Sequence, residues 1–359
     1  MIIKIGIIGL PNVGKSTLFN SLTKSNIKSK NFFFSTIKTN YGLSKVQDDR
    51  IFKISKITNN KNIVHSNIKF LDIAGLIKGS SKGAGLGNQF LNKISECDII
   101  IHLIRFFQDK KIIHIFGKVD PIKDINIINT ELILYDLQKC EKYLNKLKNK
   151  NKINIENKSL IKKCFLHLDK LKMLKTLDLL AEEKKKINSI GFLTIKPVIY
   201  LANINKNDFK YKNNFKNIFL FLKNKKYNLI FICAKNKFCL SEKKEISIIT
   251  CKINFNILLY NINTFIIYII KYLNLKIFFT FNQKELKSWI VYNNTTALKA
   301  SKKIHSDFYR KFIRAKIISY NDFIFYKGEN GVKKSGKIRI EGKNYIIKDG
   351  DIVKFLFNK

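Results

Sequence analysis

The chain has 359 residues, 45% hydrophobic and 12% aromatic, and 68 Lys+Arg against 26 Asp+Glu give it a formal net charge of +42. That length predicts two or three domains, and the apolar fraction excludes a disordered chain in spite of the charge. Three prolines and sixteen glycines exclude collagen-like and Pro-rich repeats.

Residues 2–8 read as a buried first strand that runs straight into a glycine-rich motif, which argues against a signal peptide. Residues 68–73 and 99–104 read as further strands, the latter continuously apolar as interior parallel strands are. Residues 197–202 and 229–233 repeat the pattern. Strands alternating with helices predict a doubly wound α/β sheet. Between residues 130 and 191 the strand signal stops. Leu137, Cys140, Leu144 and Leu147 recur at 3-4-3 spacing, as do Ile161, Cys164, Leu168 and Leu171. This predicts an inserted antiparallel coiled-coil hairpin, or else two amphipathic helices packed on the sheet. The apolar tract 255–273 is broken by Asn256, Asn261, Asn263 and Lys271 and predicts a buried helix, short of the span of about 20 apolar residues a membrane requires. From residue 276 onward, strands at 277–281, 338–340, 345–347 and 352–357, a helix near 297–305 and a turn at 348–351 predict a small α+β module. The expected division is 1–129 and 192–275 for the doubly wound α/β domain, 130–191 for the helical insertion and 276–359 for the last module.

The six cysteines (Cys97, Cys140, Cys164, Cys233, Cys239, Cys251) lack C-x-x-C spacing, so a reduced, cytoplasmic protein without a zinc site is expected. The basic residues are 63 Lys and five Arg (Arg50, Arg105, Arg310, Arg314, Arg339), beside an excess of Ile, Asn and Phe. These abundant residues share A+T-rich codons. The charge therefore has two readings: compositional drift that leaves a solvated Lys surface, or a polyanionic partner such as RNA.

The chemistry starts at GLPNVGKST (9–17), a complete P-loop between a strand and a helix. Its glycines allow the backbone N–H groups of Asn12, Val13, Gly14, Lys15, Ser16 and Thr17 to wrap phosphates, and the helix start adds its dipole. Lys15 neutralises the β- and γ-phosphates, and the Ser16 hydroxyl ligates Mg²⁺. Asp72-Ile-Ala-Gly75 follows a strand as a D-x-x-G box does: Asp72 holds a magnesium-bound water and the Gly75 N–H senses the γ-phosphate. Thr36 is the expected second hydroxyl ligand. Leu76 stands where a conventional GTPase has the glutamine that orients the attacking water, so slow turnover is expected. His114 is a candidate substitute, or a structural hydrogen-bonded histidine. Where guanine-specific enzymes carry N-K-x-D, this chain has Asn203-Ile204-Asn205-Lys206. Lysine only donates, so guanine discrimination loses its source, and ATP is favoured with Asn203 and Ile204 at the base. Cys233 and Ala234 are expected beside it through their backbone.

These residues together resemble the YchF family of Obg-like ATPases. The resemblance is carried by GLPNVGKSTLFN (9–20), DIAGLIKGSSKGAGLGNQFL (72–91), GKVDP (117–121), INTELIL (128–134), ANIN (202–205), KIHSDFYRKFIRA (303–315) and YKGENGVKKSGKIRIEGKNYIIKDGDIVKFLF (326–357). It spans essentially the whole chain. It implies a GTPase-like domain with an inserted antiparallel coiled coil, a C-terminal ubiquitin-like β-grasp module (TGS), Mg²⁺-dependent ATP hydrolysis and association with ribosomes. One departure stands out: the family usually has Glu where this chain has Lys206.

The glycine-rich stretch 79–87 is expected to be a switch segment. Lys302, Lys303, Arg310, Lys311, Arg314 and Lys316, with Phe308, Tyr309 and Phe312 among them, form a basic face suited to rRNA. The function expected is an ATP-binding, slowly hydrolysing switch that engages the ribosome (rRNA and ribosomal proteins) as a monomer, with neither membrane insertion nor DNA sequence recognition. The alternatives are a GTP-preferring or promiscuous GTPase, and a ribosome-binding module with negligible hydrolysis.

Overall fold

The computed structural model describes residues 2–24, 40–73, 79, 86–109, 111–148, 155–205, 220–221, 229–232 and 262–358. The chain divides into two compact units, Ile3–Ser44 with Lys69–Asn261, and Met1–Ile2 with Lys45–Ile68 and Ile262–Lys359.

The first unit is built on a sheet of order β2-β4-β1-β5-β6-β7. Its strands are β1 (Lys4–Ile8), β2 (Asn40–Lys45), β4 (Asn67–Asp72), β5 (Ile99–Arg105), β6 (Val198–Asn203) and β7 (Leu229–Ile232). β1 runs parallel to β4 and β5, β5 to β6, and β6 to β7. Every residue of β5 and β6 is buried, which accounts for their largely apolar sequence. Helix α1 (Lys15–Thr23) leaves β1 through the P-loop and α3 (Leu86–Ser95) precedes β5.

Helix α4 (Pro121–Lys148) begins with proline, whose missing N–H costs nothing in the first turn. One continuous helix runs through residue 130, the expected start of the helical insertion. α4 packs against α5 (Ile155–Asp169), with Cys140, Leu160, Ile161, Cys164 and Leu168 buried. The second stripe ends one step earlier than its spacing implies. Leu171 lies beyond α5, is 61% exposed and takes a left-handed φ of 52°, in a turn closed by its own N–H to Leu168 O at 2.8 Å. Burial pushes the Cys164 thiol up to about 11 and the Cys97 thiol to about 12, and raises Cys140 as well, so none of the three is a ready thiolate.

A buried carboxylate ties α4 to the segment that leads into β6. Asp136 accepts hydrogen bonds from Leu193 N at 2.9 Å and from Thr194 N and Oγ1, both at 2.7 Å.

The second unit carries a sheet of order β11-β10-β12-β8-β9-β3. These are β3 (Ile63–Val64), β8 (Leu275–Phe281), β9 (Leu286–Tyr292), β10 (Phe312–Ile318), β11 (Arg339–Glu341) and β12 (Ile352–Phe357). Residues 45–68, assigned by sequence order to the GTPase-like stretch, belong here for three reasons. β3 pairs in parallel with β9, Ser66 Oγ donates to Ser288 O at 2.6 Å, and Arg50 bridges Asp48 and Asp349 at 2.7 Å each while lying over the Phe279 ring. The expected strand at 345–347 is a single bridge, Thr296 to Ile346. Its backbone bonds go to the turn before helix Ala297–Ile304, with Ala297 N donating to Tyr345 O and Ile347 N to Thr295 O. The turn at 348–351 forms, with Gly350 at φ 87°. Helix Ile262–Tyr272 buries Phe265, Ile266, Ile269 and Ile270; the rest of the apolar tract lies outside the described residues. Among the described residues no helix is long and apolar enough to cross a membrane.

Replacing Asp136 with Ala leaves two buried N–H groups and one hydroxyl unpaired. It is expected to cost about 3 kcal/mol in chemical denaturation; a loss below about 0.5 kcal/mol would show that these bonds do not hold α4 in place.

Candidate nucleotide site

The P-loop crosses the carboxyl ends of β1, β5 and β6, where open α/β sheets bind ligands. Two glycines make the approach possible. A Cβ on Gly9 would stand 2.5 Å from the Leu103 carbonyl oxygen of β5, and one on Gly14 (φ 98°) would stand 2.6 Å from the Asn203 side-chain nitrogen of β6. α1 then starts at Lys15 with neither a side-chain cap nor an acidic residue in its first turn, so its first N–H groups are not claimed by a carboxylate.

Lys15 is buried, and its ammonium donates to Gly9 O at 3.2 Å and Leu10 O at 2.8 Å. Burial pushes its pKa down to about 8, with the field of Asp72 pulling part of the way back. An anion placed here would stabilise that cation. Ser16 Oγ donates to Asp72 Oδ2 at 3.0 Å. Burial raises the Asp72 carboxyl, while Lys15 and the Ser16 hydroxyl draw it down. A hydroxyl and a buried carboxylate converging at the end of β4 are hard oxygen donors, and they suit Mg²⁺. Thr36, Gly75 and Leu76 lie outside the described residues, as does most of the 79–87 stretch. Of that stretch Gly79 is described: its N–H donates to Glu131 Oε1 of α4 at 2.6 Å.

Asn203 meets the loop before it meets any base. Its Nδ2 donates to Val13 O at 2.9 Å, so one amide hydrogen fixes the P-loop. Ile204 is buried and its N–H donates to Ile232 O at 2.9 Å. Lys206, Cys233 and Ala234 lie outside the described residues.

His114 is 4% exposed, with Nε2 at 3.0 Å from Asp124 Oδ2 and Nδ1 accepting from Phe116 N at 3.3 Å. Both ring nitrogens are occupied in this arrangement. It does not present a free nitrogen to water, and a role in hydrolysis requires one of these bonds to open. The loop before it touches the P-loop, since Asn12 Nδ2 donates to Ile113 O at 3.2 Å. Sequence reasoning missed Asp124 and Arg105. Arg105 carried a signal all the same: it is one of only five arginines beside 63 lysines, and it ends an apolar strand.

Residues 4–158 match the family model described as "50S ribosome-binding GTPase", and residues 275–358 match a YchF-GTPase C-terminal model described as "Protein of unknown function (DUF933)". A Buchnera aphidicola subsp. Schizaphis graminum protein named Ribosome-binding ATPase YchF is 48% identical over 361 residues, covering 99% of each chain. The Escherichia coli O157:H7 protein of the same name is 42% identical over 359 residues, again with 99% of each covered. The solved structure of the Schizosaccharomyces pombe YchF GTPase is similar at a TM-score of 0.80 and 32% identity, over 99% of this chain and 97% of that one.

The depressed Lys15 pKa predicts how affinity depends on pH. Bound phosphate keeps Lys15 protonated, whereas the free site loses that proton as pH rises through about 8. Affinity for a nucleoside triphosphate should be level below pH 8 and fall by up to about tenfold per pH unit above it. A flat profile from pH 7 to 10 would show that Lys15 is not the phosphate's partner.

Proposed function

The chain belongs to the YchF family, and from that membership we propose that it is a monomeric, cytoplasmic, Mg²⁺-dependent P-loop ATPase that hydrolyses ATP slowly and associates with the ribosome as a nucleotide-controlled switch. One observation carries the reading: a buried, partly deprotonatable Lys15 ammonium beside the Ser16–Asp72 pair at the start of α1. The names of the Buchnera and Escherichia relatives support both halves of it.

Lys15 and the N–H groups of residues 12–17 bind the triphosphate and neutralise it where charge develops on the β–γ bridge. Ser16, Thr36 and Asp72 are the residues that would hold Mg²⁺, which would supply charge neutralisation at the phosphoryl oxygens. Leu76 neither donates nor accepts, so the attacking water lacks the usual amide to orient it, and turnover is slow. His114, held by Asp124, supplies that orientation once its ring is released. Asn203 keeps the P-loop in register and, with the backbone at Ile204, Cys233 and Ala234, meets adenine. Lys206 cannot accept the two guanine N–H groups, which favours ATP over GTP.

The ribosome is met by the last module, of TGS type, through exposed charges. Lys302, Arg310, Lys311 and Arg314 are exposed, whereas Phe308 and Phe312 pack on the module's core, with Phe308 stacked on Phe357 at 4.1 Å. The cations thus face rRNA and two of the three aromatics do not.

Three measurements test the proposal. ATP turnover should be lost in EDTA and restored by Mg²⁺; turnover indifferent to divalent cations would refute the metal. His114→Ala should lower kcat about tenfold or more with ATP affinity within about threefold; an unchanged kcat would leave His114 a structural residue only. Changing Arg310, Lys311 and Arg314 together to Gln should weaken ribosome co-sedimentation and reduce the log–log salt slope by about two to three, and a slope equal to that of the unaltered protein would remove the basic face from the interface.

A further inference from the structure

Arg105 ends β5 with its side chain 2% exposed. Among the described residues, its hydrogen bonds go to main-chain oxygens of the loop that follows. Nε donates to Phe107 O at 3.1 Å, and Nη2 donates to Asp109 O at 3.3 Å and to Ile112 O at 2.9 Å. The guanidinium lies over the Phe107 ring, 4.5 Å from its centroid. Asp109 and Asp124 attract the charge from further off, and burial works against it. The arrangement is demanding. One planar fork spans carbonyls two, four and seven residues downstream, and a lysine, a single point of donors on a flexible stem, cannot span them together. Nη1 is buried with no hydrogen-bond partner among the described residues. An unpaired buried donor lowers stability, so the fork is not the cheapest way to close a loop.

What the fork organises lies at the two ends of that loop. At one end, Phe106 N and Phe107 N donate to Asn203 O at 2.9 and 3.2 Å, and Asn203 in turn grips Val13 of the P-loop. At the other, Ile113 O receives Asn12 Nδ2, and Asn12 is held at a left-handed φ of 61°. His114 follows at once. One end of a loop shaped by one side chain therefore bonds Asn12 directly, and the other reaches its neighbour Val13 through Asn203.

We propose that Arg105 is a positioning residue of the nucleotide site: by holding the carbonyls of Phe107, Asp109 and Ile112 on its guanidinium, it sets Asn12 and Val13 in the conformation that receives phosphate. This rests on the reading of the site given above. Arg105 touches no nucleotide in this scheme and acts through Asn12, Val13 and Asn203. Because the effect runs through the P-loop, ATP and ADP should feel it alike.

The test uses the full-length chain and a fluorescent methylanthraniloyl-ATP, with ATP and ADP as competitors. Arg105→Lys should weaken both nucleotides at least tenfold while the melting temperature falls by only a few degrees. Arg105→Ala should weaken them further, and methylguanidinium at millimolar concentration should restore affinity at least threefold without changing the melting temperature. The same addition should do nothing for Lys15→Met. A merely structural arginine gives affinity losses that follow the melting temperature and no rescue, and that result would overturn the assignment. If Arg105→Lys is too unstable to assay, the methylguanidinium arm on Arg105→Ala decides alone. Wild-type protein that binds nucleotide beside an unaffected Arg105→Lys removes only the role of Arg105. Wild-type protein that binds neither ATP nor ADP removes the functional reading and this assignment together.

Discussion

The site depends on how closely a backbone loop can approach two neighbouring strands. Gly9 rides on the β5 carbonyl of Leu103 and Gly14 on the side chain of Asn203, and in both places a Cβ would overlap an atom already there. That approach pulls Lys15 out of water and onto the carbonyls of its own loop. Desolvation of the ammonium follows, and with it a cation that gains from any anion delivered to it. The phosphate site proposed here is thus a consequence of packing: the same close contact that shapes the turn also strips the lysine of solvent. Asn203 and Arg105 extend the constraint outward, the first from β6 and the second from β5.

Arginine use in this chain carries a second lesson. With 63 lysines and five arginines, total charge says little about function, since compositional drift and a polyanionic partner predict the same surface. Geometry separates them. Arg50 bridges two carboxylates over an aromatic ring, Arg105 spans three carbonyls, and Arg339 reaches Tyr345, Glu341 and Asp351. Each is a multi-point contact that lysine cannot reproduce. Arg310 and Arg314 are the exposed pair, on the face proposed for rRNA.

Much of the first sheet was legible because β1, β4, β5 and β6 are largely apolar and end in recognisable turns. The P-loop, Asp72 and Asn203 could be placed from those ends alone. What stayed hidden was decided by pairing over long sequence distances. Nothing local marks Ile63–Val64 as the partner of β9, so residues 45–68 were read with their sequence neighbours. Tyr345–Ile347 alternates like a strand, yet its hydrogen bonds go to a helix start. Leu171 continued a stripe on paper, but its helix had already ended. His114 was visible as a candidate, whereas its engagement with Asp124, ten residues on, required the fold. Asn203 gains a second task for the same reason: its spacing points to the base, and the fold adds a bond from its amide to Val13 O.

The account joins a desolvated P-loop lysine to a base site whose usual acidic partner is replaced by Lys206, and it therefore makes nucleotide choice the sharpest question. The most direct measurement is competition of ATP and GTP against a fluorescent nucleotide in the presence of Mg²⁺. The account predicts that ATP displaces the probe at a concentration about tenfold or more below GTP, a difference of about 1.4 kcal/mol. Equal displacement, or tighter binding of GTP, would contradict it and favour a general or GTP-preferring nucleoside triphosphatase.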